Sequence, residues 1–169
     1  MSLPHLSALV LAVLALGACA SEEENQTTAA PECSAKLKWA GGNSGNPMMN
    51  PGMDCVACHK KEGEGPLFVA AGTVFGKFDE VDLCEGKSGI TVEITDKTGK
   101  VFSATTNEAG NFFVNASAGS IAMPYTAKVK AGGKERAMVS PQSNGSCNSC
   151  HTKTGGATGA PGRIVIPGV

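Results

Sequence analysis

The sequence predicts a mainly β fold, a small β-sandwich of short strands flanked by irregular segments. Gly occurs 22 times and Pro 9 times, and helix-period apolar runs are few, which favours turns over a helical bundle. Residues 89–96 alternate apolar and polar at period two, placing Ile90, Val92 and Ile94 on one face. Turn signals recur between such runs at Asp96-Lys97-Thr98-Gly99, Asn107-Glu108-Ala109-Gly110 and Gly132-Gly133.

The chain divides into five stretches, of which residues 33–169 are expected to form one compact unit. Residues 1–18 hold an apolar run, Leu9 to Leu16, too short to span a bilayer but suited to a signal-peptide core. Residues 19–32 are polar and low in complexity, a tether that buries too little surface to fold. Residues 33–65 are turn-rich around Gly41, Gly42, Gly45 and Pro47, and read as irregular. Residues 66–133 carry the strands: 71–76, 89–96, 100–106, 111–114 and 125–130. Residues 134–169 return to irregular structure, with a short last strand at 163–166. The 14 basic and 15 acidic side chains give a net charge of −1, which argues against nucleic acid as a partner.

Both flanking segments contain C-x-x-C-H, at Cys55-Val56-Ala57-Cys58-His59 and Cys147-Asn148-Ser149-Cys150-His151. This is the attachment signature of c-type haem. Two thiols three positions apart add to the two vinyl groups of one porphyrin, and the next imidazole falls beneath the iron. The expected cofactors are therefore two haem c groups, held by Cys55, Cys58, Cys147 and Cys150. A four-thiolate zinc site is the alternative for paired C-x-x-C, but it leaves the two histidines unexplained. A disulfide within each pair lacks the βαβ setting of redox motifs.

His59 and His151 are the expected proximal ligands. Only His5 remains besides them, and it falls in the signal segment, so bis-histidine ligation within the mature chain is impossible. Sixth ligands then come from Met, from an unusual donor such as Lys or from a partner, or the position stays empty. Met49 and Met138 are the preferred donors, with Met48 as substitute; Met123 before Pro124 reads as core packing. His/Met ligation raises the potential and fills the iron's coordination sphere, favouring electron transfer over oxygen or peroxide chemistry. Arg163 is either a propionate partner or a surface residue beside the last strand. Cys33 and Cys84 lie outside both motifs, and an exported chain oxidises such a spare pair; closing a loop of about 50 residues would contribute ~3–4 kcal/mol.

Four resemblances add to this reading. Leu16-Gly17-Ala18-Cys19 resembles the lipobox of bacterial lipoproteins, though residues 1–8 hold no Lys or Arg; it implies cleavage before Cys19, acylation there and a membrane anchor. Ala20 is similar to an outer-membrane sorting address, implying a protein facing the periplasm or the cell surface. Residues 71–112, with Ala71-Gly72-Thr73-Val74 and Thr106-Asn107-Glu108-Ala109-Gly110, resemble carboxypeptidase regulatory-like domains, which implies an Ig/transthyretin-like sandwich and no chemistry of its own. The whole chain resembles exported bacterial dihaem cytochromes with Met-x-Pro-Gly-x-x-Cys-x-x-Cys-His before a sandwich, matched here by Met49 to His59. The expectation is an electron carrier rather than an enzyme, serving redox proteins of the cell envelope. A haem-based sensor with a labile Met, or a small haem peroxidase, are the rivals. Cys19→Ser should move the protein from the detergent to the soluble fraction at unchanged haem content, read by phase partition and absorbance.

Overall fold

The computed structural model describes residues 45–63, 65–156 and 159–169. His5, Cys19, Cys33, the signal segment and the tether lie outside the described residues.

The fold is mainly β, with strands in two sheets and few helical residues, as the sequence predicts. In chain order, α1 (Cys55–Glu62) precedes β1 (Phe68–Phe75), β2 (Thr91–Thr95), β3 (Val101–Thr105), β4 (Asn111–Asn115), β5 (Thr126–Ala131) and β6 (Lys134–Ala137). The one-turn α2 (Cys147–Cys150) and β7 (Ile164–Val165) follow. One sheet runs β4-β1-β7 and the other β3-β2-β5-β6. All pairings are antiparallel except β1 with β7.

The alternation in β2 does what the sequence implies. Ile90, Val92 and Ile94 are buried, while Thr91, Glu93 and Thr95 are half-buried. They share one core with Ala70 and Val74 of β1, Phe102 of β3, Phe112 and Val114 of β4, and Val129 of β5. That shared core is what joins the two sheets. Met123 packs against it, as expected.

Asp96 organises the β2–β3 turn. Its Oδ1 accepts from Thr98 N at 2.8 Å, Thr98 Oγ1 at 2.6 Å and Lys100 N at 3.0 Å, while Oδ2 accepts from Ala122 N at 3.2 Å. One carboxylate thus closes the hairpin and pins the chain that enters β5.

Two elements depart from the sequence reading. β6 lies inside the segment expected to be irregular, so the four-stranded sheet continues past residue 133. Residues 55–62 form a helix where irregular structure was expected.

The Thr98 hydroxyl, aided by the backbone N–H groups of Thr98, Ala122 and Lys100, holds the Asp96 pKa below its ordinary value. A depressed folded-state pKa gives stability that is present above the unfolded value, near pH 4, and lost as pH falls through the folded one. Asp96→Asn should therefore lower the melting temperature at neutral pH and flatten the loss on acidification, checked by thermal unfolding between about pH 2 and 7.

Candidate haem-attachment sites

Each C-x-x-C-H motif forms a helical turn, and helical geometry explains the grouping. Residues i, i+3 and i+4 share one side of a helix. In α1 these are Cys55, Cys58 and His59; across α2 they are Cys147, Cys150 and His151. α1 has no buried residue, so packing does not account for it. Its ends do. The Asp54 side chain accepts from Ala57 N at 3.0 Å, and Gly63, left-handed at φ 67°, donates to the His59 carbonyl at 3.2 Å.

The two imidazoles are held alike. His59 Nδ1 lies 2.9 Å from the Pro66 carbonyl oxygen, and His151 Nδ1 lies 2.9 Å from that of Gly162. A carbonyl only accepts, so each Nδ1 carries a proton, and in the neutral ring that tautomer leaves the lone pair on Nε2. This is the arrangement by which a protein orients a metal-ligating histidine. The His59 ring also packs on Phe68, with centroids 4.6 Å apart, and Phe68 stacks on Phe113 at 4.9 Å. A Cβ at Gly65, where φ is +73°, would press on the His59 ring at 3.3 Å.

The second motif borders a cavity of about 240 Å³. Cys147, Cys150, His151 and Met138 contribute to its wall, with apolar side chains of β2, β5 and β7 around them. Arg136 and Arg163 line it too. Arg136 Nε is buried without a protein acceptor among the described residues, although the same guanidinium donates to the Val169 main-chain oxygen and lies over Phe78. An apolar cavity with two thiols, an imidazole nitrogen, a thioether and an orphaned guanidinium N–H fits a haem, whose propionates are anions. Arg163 is no surface residue: it is 2% exposed, lies over Phe75, and donates to the carbonyls of Glu80 and Gly52.

Met138, on the residue after β6, is the distal donor of the sequence reading that lies in this cavity wall. Met48 and Met49 are half-buried in a turn that Asn107 and Asn111 fasten through the carbonyls of Pro47 and Met49. Among the described residues no three of His, Cys, Asp and Glu converge as a metal cage requires.

The cysteines differ in state. Cys55, Cys147 and Cys150 are free thiols, whereas Cys58 and Cys84 are disulfide-bonded. For Cys84 a disulfide was expected, with Cys33 as its partner outside the described residues. For Cys58 it was not, and a disulfide and a thioether exclude each other at one sulfur. Burial pushes the Cys147 thiol up to about 12, opposed by a hydrogen bond with Tyr125 and reinforced by the charge of nearby Cys55. Burial, then the charge of Asp54, pushes Cys55 up to about 11. Both are thus held as neutral thiols near pH 7. Burial raises Tyr125 too, and its hydroxyl donates to the Asn144 carbonyl at 2.7 Å. Burial lowers the His151 pKa, favouring the neutral ring that a metal needs.

A buried polar network without a signature in the sequence joins the two motifs. Asn148, between the cysteines of the second motif, accepts from Thr73 N at 3.1 Å and donates to the Met53 carbonyl at 2.8 Å. Thr73 Oγ1 accepts from Gly52 N and donates to Asn111 Oδ1, each at 2.8 Å.

No family model, curated protein or solved structure matches the chain.

The second motif lies tightly against β1. A Cβ at Gly72 would sit 2.9 Å from both Cys147 Cβ and the Phe112 ring. Gly72→Val should destabilise the protein by about 1–3 kcal/mol through overpacking. Denaturant unfolding measures the loss, and absorbance shows whether the second site still takes haem.

Proposed function

We propose that the chain is an envelope-anchored dihaem c-type cytochrome that passes single electrons between redox proteins. The observation that carries the reading is the matched pair of histidines, each with Nδ1 on a backbone carbonyl and no hydrogen bond at Nε2 among the described residues, directly after two cysteines. Bound haem supplies a one-electron iron couple. The chain's residues supply the rest. His59 and His151 would offer imidazole nitrogens, and Cys55, Cys147 and Cys150 thioether sulfurs; Cys58 joins them only once its disulfide is reduced. Met138 offers a soft donor from the cavity wall, and Met49 is the donor proposed for the first site, with Met48 as substitute. A filled coordination sphere favours an electron carrier over a catalyst. Lipid at Cys19 would hold the protein at the membrane, facing the periplasm or the cell surface.

The disulfide at Cys58 favours a second reading, a cytochrome with one haem at the second motif and a structural first motif. Pyridine haemochrome quantitation with intact mass separates the two. Two haems per mature chain support the dihaem carrier; one haem with Cys58 oxidised supports the second reading; none overturns both.

If both irons are His/Met ligated, the oxidised protein should show the weak sulfur-to-iron band in the near-infrared. Met49→Ala and Met138→Ala should each remove about half of it and lower one midpoint potential. CO added to the reduced protein should leave the Soret band in place; a shift would favour a sensor with a labile Met, or a peroxidase.

A further inference from the structure

The cavity beside the second motif is lined by charge of one sign. Lys128, Arg136 and Arg163 border it, and among the described residues no Asp or Glu does. Two of these cations are already matched. Lys128 pairs with Glu135 at 2.9 Å and with Glu93 at 3.7 Å, and the Arg163 guanidinium donates to the carbonyls of Glu80 and Gly52. Arg136 differs. In the β5–β6 register it stands opposite Val129, a core residue, so the two share the inner face of the sheet. Its guanidinium lies over Phe78 and donates to the Val169 main-chain oxygen, but its buried Nε has no acceptor among the described residues. Buried donors are nearly always matched, and a charged one finds its strongest partner in an anion. An unmatched donor in a cavity wall therefore calls for an acceptor that arrives with a ligand.

We infer, resting on the haem reading of the second motif alone, that this cavity recognises a porphyrin carboxylate through Arg136 and holds haem without help from either thiol. The apolar wall of Val92, Ile94 and Phe112 suits the macrocycle, and His151, with Nδ1 on the Gly162 carbonyl, offers the iron a nitrogen. Arg136 matches a propionate. At about 240 Å³ the cavity is smaller than the roughly 300–1,000 Å³ of pockets that enclose drug-sized ligands, so part of the porphyrin stays at its mouth. With apolar enclosure incomplete, one charge-assisted hydrogen bond carries a large share of the retention.

The test uses the full chain carrying Cys147→Ser and Cys150→Ser, which removes thioether formation at this site, and His59→Ala, which silences the first motif. Added ferric haem should bind this parent at one equivalent, read by the Soret band, and His151→Ala should move that band. Arg136→Leu should raise the dissociation constant by about tenfold or more, as for loss of one hydrogen bond to a charged group. Haem dimethyl ester keeps the iron and the macrocycle but masks both carboxylates. It should bind the parent about as weakly as haem binds the Arg136→Leu variant, and that substitution should no longer matter to it. The ester arm leaves Arg136 in place and provides the test if Arg136→Leu does not fold. Oleate at equal concentration should not displace haem. Equal affinity for haem and its ester, absence of binding, or displacement by oleate, which would assign the cavity to fatty-acyl carboxylates, would each overturn the inference. Failure of the cytochrome reading shows separately, as wild type without covalent haem in the pyridine haemochrome assay.

Discussion

The hydrogen-bonded cluster of Asn148, Thr73 and Asn111 is the constraint on which the rest of the site depends. Each member is a buried polar side chain on a different element, and each would cost about 1–3 kcal/mol if left without its partners. Between them they hold the turn before α1, the middle strand of the three-stranded sheet, the start of β4 and the helix of the second motif. Apolar packing alone would let the two motif segments slide over the sheet. The directionality of amide and hydroxyl bonds prevents that. The sandwich core provides stability, and the polar cluster provides position.

The same division explains what was legible in the sequence. Ile90, Val92 and Ile94 announced a half-buried strand because period two maps directly onto the pleat. Asp96 and Gly99 announced its turn. β6 escaped because Lys134, Glu135 and Arg136 form an edge strand paired only with β5; edge strands carry charge and lack an apolar face to betray them. α1 escaped for a related reason. None of its residues is fully buried, and Asp54 and Gly63 hold its ends.

The site itself was half legible. The motif cysteines and histidines stand out in the sequence because their spacing matches an attachment signature, and the structure groups them on one helical side. Asn148 was not, because an asparagine within four residues of two cysteines and a histidine has no local signature. Its partners Thr73 and Met53 lie 75 and 95 residues away. Arg163 was ambiguous in sequence for the same cause: its acceptors, Glu80 and Gly52, lie 83 and 111 residues distant. Nor does spacing announce the oxidation state of Cys58, which depends on what its sulfur meets in space.

The close seat of the second motif on β1, with Cys147 against Gly72 and the Gly145 carbonyl accepting from Ala71 N, bears on when the thiols become sealed. Hairpins such as β2–β3 and β5–β6 join neighbours in the chain and close early; a contact across some 75 residues closes late, since chain entropy must first be lost. The second cysteine pair is accordingly the last chemistry to be shut in. Until that step the pair stands in unfolded, accessible chain. Afterwards both thiols are half-buried and burial holds Cys147 in its neutral form, so on the haem-protein reading proposed above the order of assembly would set the window for covalent modification.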